Sequence, residues 1–420
     1  MDRPNLKSPV RRYLAYVGLF GTTQLYLRNP FVVACASVAF PGMGYFFLDK
    51  YVRGYLLFLW ALWVNSKAQI NLALLYSLTG RFQMAKDALD INWFLLYTPV
   101  YIFAIWDAYR STVDLNHQYL LAAREDAEVK MFNIGQLEIN YLDKRTPWNA
   151  ALWSALMPGL GQLLIHRIPA ALFVIVGFIL TAQQANLGPA LHYTLLGQFD
   201  FAKATLNPQW FLMLSSIYFG AMYGAYISTV AHNNLFDWEQ TKFLKKNYEN
   251  KKFTMPFEKM HGSVEPTYVV STFDHSIYLE LAITAIQMKG IPKAKILGVS
   301  MDKRGEDKKL FDSIHSSDGF NMLDLPIIFS ILFSFAGNIY GFLLTWGPIL
   351  WGLIGTGVGF SLGLMIKWIT TKKYDHRQKK LKATEVVVMI ECLETQVEMV
   401  KDLLWEHHAL GCAVRKHKTS

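Results

Sequence analysis

The chain has 420 residues, 52% of them hydrophobic and only 17% charged, against about 25% charged in an ordinary soluble domain. The deficit is uneven: long apolar stretches alternate with short charged ones, which excludes a uniformly soluble globule and makes hydrocarbon part of the solvent. The net charge of +9 does not mark a nucleic-acid binder, because Arg11, Arg12, Arg28 and the basic runs at 242–252 and 372–382 flank apolar segments, as cytoplasmic flanks of spanning helices do.

Residues 1–27 read as a basic amphipathic interfacial arm. Within it, residues 6–26 are expected to form a helix lying on the membrane, with Val10, Tyr13, Leu14 and Val17 on one face and Lys7, Arg11 and Arg12 beside them. No cleavable signal peptide is expected.

Residues 28–120 form a first membrane repeat, 121–144 a linker of mixed charge, and 145–236 a second membrane repeat. Sliding the chain by 117 positions lays 28–116 on 145–233 without a gap, with about 28 of the 89 positions identical. Shared composition alone does not hold register that long.

Three features recur. The first is Pro-Gly-x-Gly, at Pro41, Gly42 and Gly44 and again at Pro158, Gly159 and Gly161. Proline removes a donor and glycine permits sharp turns, so each motif is expected to be a kink or a re-entrant hairpin, serving packing alone or exposing backbone groups for binding. The second is a short amphipathic segment, Phe82, Ala85, Lys86 and Leu89 before Trp93, matched by Phe199, Ala202, Lys203, Leu206 and Trp210. It reads as an interfacial helix before the next span, with Lys86, Trp93, Lys203 and Trp210 as contacts for lipid heads or a partner. The third is the closing Ala-Tyr-x-Ser-Thr-Val at 108–113 and 225–230, which Asp107 and Arg110 accompany only in the first copy.

These motifs resemble the two-transmembrane-domain family and related small bacterial membrane proteins with a Pro-Gly-x-Gly-Gln signature. The second copy carries PGLGQ at 158–162, the first has Tyr45 in place of the glutamine, and DAYR at 107–110 looks like the close of such a unit. The resemblance spans residues 28–233 twice over. It implies architecture and no catalytic residues.

Residues 237–266 read as a charged linker. The composition then shifts to soluble α/β: strands at 267–273 and 294–301, a helix at 276–289, a strand at 385–392, a helix at 395–407, a C-cap at Gly411 and a last short strand. Residues 267–320 and 372–420 are thus two halves of a ferredoxin-like domain, and a transmembrane hairpin at 321–371 divides them. Its second span holds Gly355, Gly359 and Gly363 at intervals of four, which lets another helix approach closely, either the hairpin's own first helix or a partner. A ferredoxin-like domain split by a glycine-rich hairpin resembles a bacterial family of small membrane and stress-related proteins, and the small membrane subunit of alternative complex III. The likeness implies an assembly or regulatory subunit.

The fold class expected is an α-helical multi-pass membrane protein with internal duplication, plus a cytoplasmic α+β ferredoxin-like domain interrupted by a transmembrane hairpin. Re-entrant Pro-Gly motifs make the copies parallel and give six crossings; full spans make them inverted and give eight. The former is favoured because it sets Lys86 and Lys203 in one leaflet. Cys35, Cys392 and Cys412 are too few and too scattered for a metal cage or disulfide framework, so no metal, cofactor or catalytic residue is expected. The function expected is a non-enzymatic assembly or scaffold subunit in the cell (inner) membrane. Its partners are the lipid bilayer and other membrane subunits or a second copy, not nucleic acid. A transporter or channel built on the two repeats is the alternative, with Lys67 and Asp107 as its only candidate charges. A lipid-active enzyme comes last.

Overall fold

The computed structural model describes residues 11–125, 127–249, 253, 267–301, 324–372 and 386–416. They divide into two compact units, Met1–Ala231 with Leu310–Arg377, and His232–Lys309 with Gln378–Ser420.

The first unit opens with an antiparallel hairpin, β1 (Ala15–Gly18) and β2 (Gly21–Gln24), paired from Ala15↔Gln24 to Gly18↔Gly21. The interfacial helix expected over 6–26 is therefore corrected to a hairpin across its described part. Of the supposed helical face, Leu14 and Val17 are buried but Tyr13 is exposed, as is Tyr16, and Val10 lies outside the described residues. That alternation, with Gly18 and Gly21 bracketing a two-residue turn, suits strands rather than a helix.

Six helices follow: α1 (Pro30–Ala39), α2 (Met43–Phe47), α3 (Tyr51–Ala68), α4 (Ile70–Leu78), α5 (Phe82–Ala88) and α6 (Ile91–Glu125). A second hairpin, β3 (Phe132–Ile134) and β4 (Ile139–Tyr141), occupies the segment read as a linker. Then come α7 (Pro147–Leu156), α8 (Leu160–Leu164), α9 (Ile168–Gln184), α10 (Leu187–Leu195), α11 (Phe199–Thr205) and α12 (Pro208–Asn247).

Every helix of the first set starts 117 positions before its counterpart in the second. The left-handed residues obey the same offset: Gly42 and Gly159, Asp49 and His166, Gln69 and Asn186, Gly80 and Gly197. So do the hydrogen bonds that set the turns. The Lys50 amide donates to Tyr45 as Arg167 does to Gln162, and the Asp90 amide to Ala68 as Asn207 does to Ala185. Asn29 caps α1, its side chain accepting from the Phe31 amide at 2.9 Å, with Pro30 at the first helical position.

Among the described residues, two helices are long and apolar enough to cross a membrane, Pro208–Asn247 and Gly347–Ile366. Two bent pairs, α5 with α6 (89°) and α9 with α10 (67°), raise the number to four if each pair is one span. The 89° bend sets the short α5 across the axis of α6. The helix surfaces are strongly apolar: α3 exposes Val52, Leu56, Leu59 and Trp63 and buries Ala61, Asn65 and Ala68 beside Phe58 and Val64, and α9 exposes Leu172, Val176 and Leu180 and buries Ala171 and Thr181.

The second unit begins in the last turns of α12. Phe236, Gln240, Leu244 and Tyr248 recur every four residues and are buried, and the helix runs on to Asn247, so the first third of the segment read as a linker continues as a helix. Residues 254–266 lie outside the described part. Next come β5 (Thr267–Phe273), α13 (Ile277–Met288) and β6 (Ile296–Ser300). The hairpin α14 (Asp324–Gly341) and α15 (Gly347–Lys372), which belongs to the first unit, interrupts the sequence. Then β7 (Val386–Cys392), α16 (Val397–Glu406) and β8 (Gly411–Lys416) complete it. The sheet order is β6-β7-β5-β8, every neighbouring pair antiparallel. Alternate residues of β7 (Val386, Val388, Ile390 and Cys392) meet Leu279, Ile283 and Ile286 of α13 and Val400 and Leu404 of α16 in one core, each buried aliphatic side chain contributing roughly 1.5–3 kcal/mol. Gly411 opens β8 and is not a C-cap: α16 ends at Glu406, His407 is its C-cap, and His408 takes the left-handed position (φ 61°).

Candidate functional site

The Pro-Gly-x-Gly motifs are packing joints. In each, the proline is buried in the turn between two helices and the first glycine has positive φ, 97° at Gly42 and 106° at Gly159. A β-carbon on Gly42 would stand 2.7 Å from the Gly54 carbonyl, and one on Gly159 2.9 Å from the Ala171 carbonyl, which is the counterpart of Gly54. The second glycine faces the other side. A β-carbon on Gly44 would meet the Val33 carbonyl at 2.5 Å, and one on Gly161 would collide with the corresponding carbonyl, that of Ala150. The two glycines thus wedge a five-residue helix between the backbones of its neighbours, α1 and α3 or α7 and α9. Any side chain there displaces main chain.

The glycine stripe of α15 is also internal. β-Carbons on Gly355, Gly359 and Gly363 would strike the backbone of Phe333, Phe329 and Pro326 on α14, and Gly337 of α14 reciprocates against Trp351. The seam is closed by Ser330, whose hydroxyl donates to Pro326 at 2.8 Å and to the Thr356 carbonyl at 3.3 Å. Of the two partners open to these glycines, the structure seats the hairpin's own first helix.

The expected interfacial residues part company. Lys86 is exposed on α5, and Trp93 is half-buried, edge-on to Trp63 with ring centroids 5.0 Å apart. Lys203 is half-covered, 3.3 Å from Asp200, and Trp210 packs against the cluster of Ala185, Leu206 and Phe211. Lys67 is exposed in the last turn of α3.

What sequence reading missed is the polar interior at the α2–α3 and α8–α9 turns. Lys50 and Arg167 occupy the residue before α3 and α9, where a cation opposes the helix dipole and needs a partner. Lys50 donates to the Ser111 hydroxyl at 3.0 Å, and Arg167 donates to its counterpart, Ser228. Arg167 also pairs with Asp49 and donates through Nε and Nη2 to the Tyr51 hydroxyl, at 3.0 and 2.5 Å. It therefore ties the α2–α3 turn of the first set to the α12 helix of the second. Beside Lys50, the Asp107 carboxylate accepts from the Tyr45 hydroxyl at 2.6 Å and from Arg53 at 3.3 Å. The signal was present: a basic residue recurs at 50 and 167 and a serine at 111 and 228, although only the serine lies in a motif of identical residues.

A second buried polar knot lies at the other end of α3. Gln209 donates through Nε2 to the Asn65 carbonyl and to its Oδ1, both at 3.0 Å, and its Oε1 accepts from the Leu72 amide at 3.0 Å. Asn71 donates to the Gln209 carbonyl at 3.0 Å. All three side chains are buried, so α12 supplies hydrogen-bond partners to the α3–α4 break. In the second unit, burial pushes the Cys392 thiol above its ordinary range, with Glu391 adding to it, which keeps it unreactive. Among the described residues no group of His, Cys, Asp and Glu is placed to hold a metal ion. Comparison of the chain with protein-family models, curated proteins and solved structures finds no match.

Proposed function

We propose that the chain is an integral membrane scaffold subunit of a larger assembly, built on a duplicated membrane unit and a ferredoxin-like domain. Duplication is supported by the common 117-residue offset of helix boundaries, left-handed residues and turn hydrogen bonds. The ferredoxin-like reading is supported by two βαβ halves and the antiparallel order β6-β7-β5-β8. The flanking basic runs favour a cytoplasmic location for this domain in the cell membrane.

The observation that carries the assembly reading is the outer face of α15. This helix is long and apolar, yet only 22% of its spanning window is buried. With Gly355, Gly359 and Gly363 committed to α14, the opposite side presents Ile354, Gly357, Val358, Ser361 and Met365 at helical spacing, all open or half-open. Gly357 has nothing within 4 Å of a β-carbon, and Gly357 with Ser361 makes a small-xxx-small pair. Partner helices pack there rather than on the glycine seam. Purification from native membranes in gentle detergent tests it. Co-purifying membrane proteins that are lost in Gly357→Leu support the reading; a partner-free wild-type chain, or partners retained in the variant, overturns it.

A second reading, translocation, is favoured by the Asp107 cluster, since an ionisable group in a spanning helix is a functional hypothesis by default. Flux into vesicles holding the purified chain, abolished by Asp107→Asn, would favour it.

A further inference from the structure

The polar junction of the first set consists of Tyr45, Lys50, Arg53, Asp107 and Ser111. Their counterparts 117 positions on are Gln162, Arg167, Ala170, Gly224 and Ser228, and all five line one partly enclosed cavity of about 40 Å³. The first set brings a carboxylate to this place on its own chain, through Asp107. The second has glycine at that position and keeps three buried polar side chains around it: Gln162, Arg167 and Ser228, at 5%, 8% and 5% exposure.

We infer that this cavity binds a carboxylate ligand, which takes at Gly224 the place that the Asp107 side chain takes in the first set.

The donors fit. A guanidinium has five N–H groups, and the bonds of Arg167 to Tyr51, Ser228 and Asp49 engage four of them, leaving one on Nη1. Gln162 spends one Nε2 hydrogen on the Ala221 carbonyl at 2.8 Å, and its Oε1 accepts from Ser154 at 3.3 Å, leaving the second Nε2 hydrogen. Two N–H groups on two buried side chains of one cavity match the two oxygens of a carboxylate. Position also fits: a β-carbon on Gly224 would stand 3.7 Å from Gln162 Nε2, so a carboxylate beside Gly224 is within reach of the amide.

Size and charge narrow the class. At about 10–15 Å³ per probe-sized particle, the cavity holds roughly three small atoms, the number in a carboxylate group. Arg167, the cation lining the cavity, already answers Asp49, so a bound monoanion leaves one negative charge to be carried by hydrogen bonds alone and a phosphate dianion would leave two, which favours the monoanion. The remaining walls include Phe46, Phe58 and Phe173, which favour hydrocarbon next to the head. A short free carboxylate and the head of a fatty acid share this chemistry.

Thermal melting of the purified full chain in detergent distinguishes them, with sodium acetate, sodium decanoate, decanol or sodium chloride at matched ionic strength. A ligand that binds only the folded state raises the midpoint with its concentration. Acetate and decanoate both raising it assigns free small carboxylates; decanoate alone assigns the fatty-acid head. The rise is lost in Gly224→Asp, which tethers a carboxylate in the cavity, and kept in Gly224→Ala, whose β-carbon has only to move the Phe47 ring, 3.1 Å away, slightly. Gln162→Leu, which removes a donor without adding charge, also loses the rise and serves if Gly224→Asp does not fold. No rise with either carboxylate overturns the inference. So does an equal rise with decanol, or a rise retained in Gln162→Leu.

Discussion

Arg167 is the residue on which the join between the two helix sets turns. Its guanidinium is buried, and its partners come from both sets: Asp49 and Tyr51 from one, Ser228 from the other. A buried ion pair adds little net stability over a well-packed apolar pair, but removing one partner strands the other charge, at about 3–5 kcal/mol. Arg167→Met and Asp49→Leu should therefore each lower the melting midpoint sharply, while the double variant recovers much of the loss. Additive losses in that cycle would show that the two side chains do not act as a pair. The glycines make a second contrast. Gly161→Ala places a β-carbon against the Ala150 carbonyl and should abolish folded, monodisperse protein, whereas Gly177→Ala meets nothing within 4 Å and should be neutral or slightly stabilising within a helix. Size-exclusion profiles of the two variants check this.

At the scale of elements, what could be read from the chain followed local chemistry. The strands and helices of the second unit were legible because β7 alternates buried and half-buried residues along its whole length and α13 carries an apolar face. The hairpin β1–β2 was not: a segment rich in tyrosine and basic residues mimics an amphipathic helix, and the decisive features are the glycines at 18 and 21. β3–β4 pairs in the register of β1–β2 117 positions on, Phe132↔Tyr141 for Ala15↔Gln24, and this went unseen because only Gly18 and Gly135, and Leu25 and Leu142, are identical between Ala15–Leu25 and their counterparts. The buried junctions were illegible for another reason. Lys50 and Arg167 differ in type, and Asp107 has glycine as its counterpart, so a search for shared residues passes over them. For the glycine stripe, spacing revealed a close helix contact but not its partner. The structure makes two variants separable. Gly359→Leu drives a side chain into the Phe329 backbone and should open the α14–α15 hairpin. Gly357→Leu should leave it closed. A disulfide engineered between α14 and α15 reports which hairpin remains closed; equal behaviour of the two variants would contradict the seam.

At the scale of the whole molecule, the central claim is that hydrocarbon is the solvent for the first unit. Exposed leucine, isoleucine, valine and tryptophan side chains on α3, α6, α9 and α15, set against buried alanine, serine, asparagine and glutamine, would be an aggregation hazard in water and is the ordinary arrangement in lipid, where small and polar residues mediate helix contacts. The second unit is held by an aliphatic core between one sheet and its helices. The direct test is alkaline carbonate extraction of membranes from cells making the full chain. The protein is predicted to stay entirely in the membrane pellet and to leave it only with detergent. Its release into the aqueous supernatant would contradict the account.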